Sequence, residues 1–480
     1  MLVRLSGDSP LHLQIYQAFR EAILEGRLAP GARLPSSRGE ARSLGVSRNV
    51  VLQAYAQLVA EGYLTGSVGS GTYVATELPE VTLGGPAHRS RSDGQSSSKV
   101  RLSAYGARAA NASTFSSRKR VRYDFAYGVS RPDDTTLRQW QRALRKAGER
   151  PSLDYGPPEG ESSLREAIAA HLFKNRGVRC SASEVVVTSG SQQALSLISR
   201  MFFEPGDAVV VEEPSYQGAR HLFESDGLRV LAHPVDQDGL DIGTSGPDAR
   251  ACYVTPSHQF PTGVTMPLAR RLRILAWAEA RDAVVIEDDY DSEYRYEGRP
   301  LEAIQRLDSH GRVIYVGTFS KVLFPAVRLG FVVLPPSLVA TFIKTKWLAD
   351  RHSPRLEQRA LAELIASGTF EQHQRRARAR NASRRAALME ALASELGGAV
   401  ELSGANAGIH LLAWLTSVPL SGLDQIVEKA LAEGVGLYPV SPYYTSTPPR
   451  AGLLFGYGNL EEGDIREGIR RFARVLRSLV

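Results

Sequence analysis

Lys321 lies just past an apolar run, Val313-Ile314-Tyr315-Val316, that reads as a buried strand. A partly buried amine there has a lowered pKa and can form a Schiff base. Arg328, seven residues on, can grip a phosphate through two parallel hydrogen bonds. Asp288 ends another apolar run, Val284-Val285-Ile286. Its carboxylate can hold a protonated pyridine nitrogen, an ion pair that makes the ring an electron sink. Tyr216 offers a face for ring stacking, and Tyr290 a hydroxyl for a phenolate oxygen. The segment 185–198 reads as strand, glycine and helix, and its free N–H groups and positive dipole end suit a phosphate. Each signal is weak alone: Asp288 could cap a helix, Tyr216 could be core, Arg328 could be a surface ion pair. Five in order, each at a strand end, describe pyridoxal 5'-phosphate (PLP).

The elements that must position these groups are legible. Val185-Val186-Val187, Val209-Val210-Val211, Cys252-Tyr253-Val254, Val284-Val285-Ile286 and Val313 to Val316 each run into a polar cluster, with helical patterns between them. Buried strands with polar C-terminal ends predict an α/β domain over 121–480, a mostly parallel sheet with helices on both faces and ligands at one edge. The chain of 480 residues is too long for one core. Residues 76–120, rich in Ser, Arg, Ala and Gly, hold too few large apolar groups to offset ordering entropy, and are expected to be a flexible basic linker.

Charge is unevenly spread. The net charge is +7, yet residues 123–480 carry 42 Arg/Lys against 43 Asp/Glu. The excess lies in 1–75 (seven against five) and 76–122 (nine against three). A basic end on a neutral body fits an anionic macromolecule at that end, or simply a solvated basic linker. Two cysteines, Cys180 and Cys252, exclude a disulfide framework and a Cys-rich zinc site. With no secretory signal pattern and no apolar run near the roughly 18 residues of a membrane span, a cytoplasmic protein is expected.

Residues 8–75 read as three helices and a hairpin. Ser9-Pro10 opens the first, in which Leu11, Ile15, Phe19 and Ala22 recur at helical spacing. Ser37 with Glu40 is expected to cap the second, which ends at Leu44-Gly45. Ser47 caps the third, with Ala54, Tyr55 and Leu58 on its apolar face. Tyr63-Leu64-Thr65 and Thr72-Tyr73-Val74 flank a Gly/Ser turn and make a wing. The third helix is slim enough for a DNA major groove and exposes Ser47, Arg48 and Asn49 to phosphates and base edges. Ser36, Ser37 and Arg38 begin the second, where free N–H groups favour phosphate. Gly69, Ser70 and Gly71, followed by Thr72, let the wing approach a duplex closely. The alternative reading is a small helical interaction module with solvated arginines.

The stretch "LPSSRGEARSLGVSRNVVLQAYAQLVAEGYLTGSVGSGTYV" (34–74) closely resembles the winged helix-turn-helix of GntR-type bacterial regulators. It departs at Gly39-Glu40-Ala41-Arg42, where the family more often has an apolar residue followed by Ala. The remainder, through "LDYGPPEG", "TSGSQQAL", "VEEPSY", "TPSHQFPTG", "IEDDYDSEYRY" and "YVGTFSKVLFPAVRLG", resembles a PLP-dependent aminotransferase of fold type I. Together they look like the MocR branch of GntR regulators. The resemblance implies that Lys321 carries the PLP aldimine, Asp288 faces the ring nitrogen, Tyr290 reaches the ring oxygen and Tyr216 stacks. It implies that Ser191, Gln192, Thr318, Ser320 and Arg328 surround the phosphate. It further implies a homodimer in which Tyr155 crosses to the partner's phosphate.

Two departures bear on activity. Aminotransferases place Asn directly before Pro-Thr-Gly, and here Phe260 stands there, so one ring-oxygen contact is lost or taken over by a neighbour. The segment that normally carries a carboxylate-binding arginine reads "LLFGYGN" (453–459), with leucine where arginine is expected, and Arg450 is the candidate substitute. These weigh against a complete transamination cycle. The expected function is a DNA-binding regulator that senses PLP, or a PLP-reactive amino acid or amine. The alternative is an active aminotransferase with an appended DNA-binding domain. No P-loop, metalloprotease His pair or Gly-x-Ser-x-Gly elbow is present to suggest another enzyme class.

Overall fold

The computed structural model describes residues 3, 5, 9–67, 71–78, 100–112, 121–149, 153–243, 246–296, 302–404 and 406–479. The chain divides into two compact units, Met1–Val100 and Arg101–Val480.

In the first unit, α1 (Leu11–Leu24), α2 (Ser37–Leu44) and α3 (Arg48–Ala60) precede an antiparallel hairpin of β1 (Leu64–Ser67) and β2 (Gly71–Val74). The apolar residues of α1 and α3 recur on one face, so Ile15, Phe19, Val51, Ala54, Tyr55 and Leu58 meet in one core. Phe19 packs edge-on against Tyr55 at 5.5 Å, and truncating it to Ala would cost about 3–5 kcal/mol. The Tyr55 hydroxyl donates to Pro35 O at 3.1 Å, tying α3 to the chain before α2. Two caps differ from expectation. Ser36, not Ser37, caps α2, its Oγ accepting from Gly39 N at 3.1 Å. Pro10 rather than Ser9 precedes α1, with no side-chain cap. Ser47 caps α3 as expected.

In the second unit eight strands form one sheet: β3 (Val185–Thr188), β4 (Ala208–Glu213), β5 (Arg229–Asp236), β6 (Gly239–Leu240), β7 (Ala251–Val254), β8 (Val284–Asp289), β9 (Val313–Thr318) and β10 (Gly330–Val333). Their order is β3-β10-β9-β8-β7-β4-β5-β6. β10 runs antiparallel to both neighbours and β6 antiparallel to β5, while the other pairs are parallel. Strand alternation sends Val209, Val211, Tyr253 and Ile286 into one core and Val210, Cys252, Val254 and Val285 into the other. A smaller antiparallel sheet follows, β11 (Val400–Ser403), β12 (His410–Leu415), β13 (Tyr438–Pro439) and β14 (Gly452–Gly456), in the order β11-β12-β14-β13. Among the described residues no helix is long and apolar enough to cross a membrane.

The segment expected to be a linker is not all free chain. Ala104–Ala110 forms a helix, α4, capped by Ser103, whose Oγ accepts from Gly106 N at 3.1 Å. It packs on a later helix of the same unit, Gln217–Asp226, where Arg108 Nε donates to Ser225 O at 2.9 Å. Composition missed this because a helix of small residues needs no large apolar stripe when one arginine anchors it. Residues 79–99 and 113–120 lie outside the described residues.

Candidate functional site

The C-terminal ends of the parallel strands converge on one pocket. It is lined by Ser191, Gln192, Tyr216, Asp288, Tyr290, Thr318, Ser320, Lys321 and Arg328, nine of the residues singled out in the sequence. Tyr127, Gly128, Tyr253, Thr255, Phe260, Ile409 and His410 complete the wall.

Strand alternation explains why one acid of three faces inward. On β8, Glu287 accepts from the N–H groups of Ile304 and Gln305, each at 2.9 Å. Asp289 is held by Arg176 Nε at 2.8 Å and the Tyr315 hydroxyl at 2.6 Å. Asp288, between them, turns to the pocket. Its Oδ2 accepts from the Tyr253 hydroxyl at 2.8 Å, while its Oδ1 is buried without a partner. Burial, reinforced by Asp289, pushes its carboxyl up to about 7, against the pull of Tyr253 and Lys321. A carboxylate placed so is short of one cationic donor, which a protonated ring nitrogen supplies.

Lys321 follows β9, and its Nζ donates to Gly128 O at 3.1 Å. Gly128 has φ +72, and a Cβ there would lie 2.6 Å from the lysine nitrogen, so only glycine fits. At the opposite end Ser191 and Gln192 open a helix, α5 (Ser191–Phe202), behind Gly190, and its N-terminal N–H groups suit an anion. Arg328 Nη2 donates to Ser189 O at 2.8 Å, which sets its guanidinium beside Gly190. Ser320 Oγ is buried and unpartnered. A helix terminus, an arginine and a hydroxyl could thus hold an anion in the same pocket as Lys321 and Asp288. Burial pushes the Tyr216 hydroxyl up to about 12, so it stays neutral. Glu212, buried at the end of β4 and pushed by burial up to about 7, holds Thr255 through its Oγ1 at 2.7 Å.

Two expectations turn out otherwise or lie apart. Arg450 does not line the pocket. Its guanidinium pairs with Glu401 and lies 5.0 Å over the Trp414 ring, beyond the aromatic cluster of Phe260, Trp414 and Tyr443. It is therefore withdrawn as the carboxylate-binding residue. Leu453 and Leu454 of "LLFGYGN" are core residues of β14. Tyr155 stands on the surface, 76% exposed, with its ring 5.9 Å from His352, outside the pocket of its own chain.

Phe260, in place of the aminotransferase asparagine, fills its position with a ring 5.9 Å from Tyr290 and 5.4 Å from His410. His410, Tyr127 and Gly128 of the pocket, and His258 behind Tyr290, were not anticipated as site residues. His258 does stand in the motif "TPSHQFPTG", the signal that could have found it.

A second cavity adjoins the first. Gln192, Tyr216 and Arg328 line both, and its outer wall includes Tyr105 and Ala112, within and just beyond α4.

In the first unit Ser36, Arg38, Ser47, Arg48 and Asn49 are exposed, and Ser37 half-buried, around the start of α2 and α3. Arg48 Nε donates to Ser37 Oγ at 3.3 Å, linking the two helix starts. Gly71 and Thr72 begin β2, and Arg33, missed in the sequence, sets its guanidinium against Gly71. Gly69 and Ser70 lie outside the described residues.

The family model for gntR-family bacterial regulatory proteins matches residues 11–74. That for class I and II aminotransferases matches residues 124–462. Over 472 residues the chain is 37% identical to the probable rhizopine catabolism regulatory protein MocR of Rhizobium meliloti, covering 96% of this chain and 93% of that one. The chain belongs to the MocR-type GntR regulators. Another such regulator, the pyridoxine biosynthesis transcriptional regulator PdxR of Corynebacterium glutamicum, is 33% identical over 455 residues, 94% of this chain and 93% of that one. Among solved structures, the MocR-type chain resembles LysN, the α-aminoadipate aminotransferase of Thermus thermophilus, complexed with N-(5'-phosphopyridoxyl)-L-leucine. The TM-score is 0.67 at 32% identity, covering 74% of this chain and 92% of LysN. The large unit of this MocR-type regulator therefore has the aminotransferase fold, and its small unit is the DNA-binding domain of an HTH-type transcriptional regulator.

Proposed function

We propose that this regulator binds PLP through Lys321 and senses either PLP or a small amine or amino acid that reacts with it. The observation that carries the reading is the inward Asp288 carboxylate, buried with Oδ1 unpartnered, in one pocket with Lys321 and Arg328. When bound, PLP supplies a Schiff-base carbonyl and an electron-accepting ring. Asp288 would hold its ring nitrogen, Tyr290 its ring oxygen, Tyr216 its face, and Ser191, Gln192, Thr318, Ser320 and Arg328 its phosphate. The phosphopyridoxyl ligand of LysN supports the same group here.

The partner of the small unit is double-stranded operator DNA, read by α3 and contacted by the start of α2 and the wing, in the cytoplasm. Two copies of the chain would pair so that each Tyr155 completes the other's pocket and two winged units read two half-sites. Occupancy of the pocket reaches the DNA through α4. This helix stands at the start of the large unit and walls the cavity that shares Gln192, Tyr216 and Arg328 with the pocket. Ligand binding changes DNA affinity only to the extent that it favours one arrangement over another.

The test is borohydride reduction of the PLP-loaded protein, followed by peptide mapping and by DNA binding on duplexes selected from a random pool. Label fixed on Lys321, lost in Lys321→Ala, is expected together with selective duplex binding. Label that persists in Lys321→Ala contradicts the assignment. Multiple-turnover amino transfer would favour the enzyme reading.

A further inference from the structure

Behind Tyr290 of the pocket wall stands a buried His–Asp pair that the PLP reading leaves unused. His258 and Asp291 are each 1% exposed, and His258 Nδ1 lies 3.0 Å from Asp291 Oδ2. The Tyr290 hydroxyl lies 3.0 Å from the same Nδ1. One ring nitrogen thus meets two oxygens. His258 Nε2 is buried without a partner.

Which nitrogen carries the proton decides what Tyr290 can do. A proton on Nε2 would bury an unsatisfied donor and leave the Asp291 carboxylate without an N–H. A proton on Nδ1 satisfies Asp291 and leaves only an acceptor unpartnered on the far side. In that form Nδ1 has no lone pair for Tyr290, so the tyrosine oxygen is an acceptor there and its own proton is free to be donated elsewhere. The pocket, which Tyr290 lines, is the remaining direction.

The ring is closely enclosed, and a flip would turn a carbon in place of Nδ1 toward Asp291. Gly408, at φ +80, brings backbone so close that a Cβ would enter the imidazole and come within 2.8 Å of Asp291 Oδ2. On the other side a Cβ on Gly263 would lie 2.9 Å from Nε2. Such a cradle is built around one ring orientation. The charged and titratable groups around the pair are Asp288 and Asp289 on β8, Glu212 on β4, His410 on β12 and Lys321 after β9. His410 is kept neutral by burial, and its Nε2 is engaged by Pro261 O at 3.2 Å.

We infer that His258, fixed by Asp291 in its Nδ1–H form, is a positioning residue that commits the Tyr290 proton to the ring oxygen of the bound cofactor, taking over for the asparagine that Phe260 replaces. The inference rests on the PLP reading above. A hydrogen bond donated to that oxygen draws electron density away from the neighbouring Lys321 nitrogen, so it lowers the pH at which that nitrogen loses its proton.

The experiment is a spectrophotometric pH titration of the PLP-loaded full-length protein, reading the long-wavelength band. His258→Leu is expected to raise the midpoint by about one pH unit, a tenfold change in proton affinity. His258→Asn, which keeps a side-chain N–H for Asp291, is expected to stay within a few tenths of a unit of wild type. It also serves if the leucine variant folds poorly. A midpoint that falls in His258→Leu means Nδ1 was accepting the Tyr290 proton, and overturns the inference. An unchanged midpoint overturns it equally, as does a zinc ion retained by wild type and lost in His258→Leu. A wild-type protein that takes up no PLP overturns the cofactor reading itself, a different outcome from any midpoint.

Discussion

Tyr253 and Asp288, on neighbouring parallel strands, share one hydrogen bond of 2.8 Å inside the pocket, and that bond occupies only one oxygen of the carboxylate. The other oxygen is buried and unpartnered. Tyr253 sits in an otherwise apolar strand core, so its hydroxyl must find an acceptor at the strand end, and Asp288 is that acceptor. The pair is an acid held ready for a cation.

A pH dependence of the PLP-free protein follows. The Asp288 carboxyl is raised from 3.8 to about 7, chiefly by burial. The folded state thus holds this proton more tightly than the unfolded chain does. The contribution to stability is complete below the unfolded value and is lost as pH rises toward about 7. Asp288→Asn, which does not titrate, is expected to lack this loss, so the wild-type stability falls relative to the variant between those two pH values. Urea unfolding across that range checks it. Parallel curves for the two proteins would contradict the burial of Asp288. Glu212, raised in the same direction chiefly by burial, is present in both and loses in the variant only the smaller push from Asp288.

Arg48 stands exposed at the start of α3, touching Ser37 at 3.3 Å. If it contacts a base edge, Arg48→Ala costs about 1–3 kcal/mol of operator affinity. The absorbance of bound PLP is expected not to change. The remaining affinity is expected to fall steeply with salt as phosphate contacts release counterions. Operator affinity equal to wild type in a gel-shift titration would mark Arg48 as a solvated surface residue.

Much of this was legible before any coordinates. The five pocket residues read from strand ends and the four more that the resemblance implied do meet, because a parallel sheet gathers its C-terminal ends on one edge. Strand period puts Asp288 on the opposite face from Glu287 and Asp289, but which face meets the pocket came only with the fold. Other features were not legible. Gly128 and His410 reach the pocket from segments nearly 200 and 90 residues from Lys321, and no local pattern marks them. Arg450 stands near in sequence to the missing arginine. Its fate depended on Glu401 and Trp414, on neighbouring strands of a sheet that sequence could not pair. The helix α4 carries no apolar stripe, and its docking rests on one arginine meeting one carbonyl.

That docking yields its own prediction. Arg108→Ala removes the 2.9 Å bond to Ser225 O and loosens α4 from the helix beneath it. PLP uptake is expected to stay as in wild type, since Arg108 does not line the pocket. The difference in operator affinity between PLP-loaded and PLP-free protein is expected to shrink severalfold. Coupling as large as in wild type would show that α4 does not carry the signal.

The most direct test of the central claim is operator affinity measured on one preparation in three forms: PLP-free, PLP-loaded, and PLP-loaded with a panel of amines and amino acids, with loading confirmed by absorbance. A sensor predicts that at least one pair of forms differs by about 5- to 150-fold, the range of a 1–3 kcal/mol coupling. Equal affinity in all three forms, with the pocket shown to be filled, would contradict it.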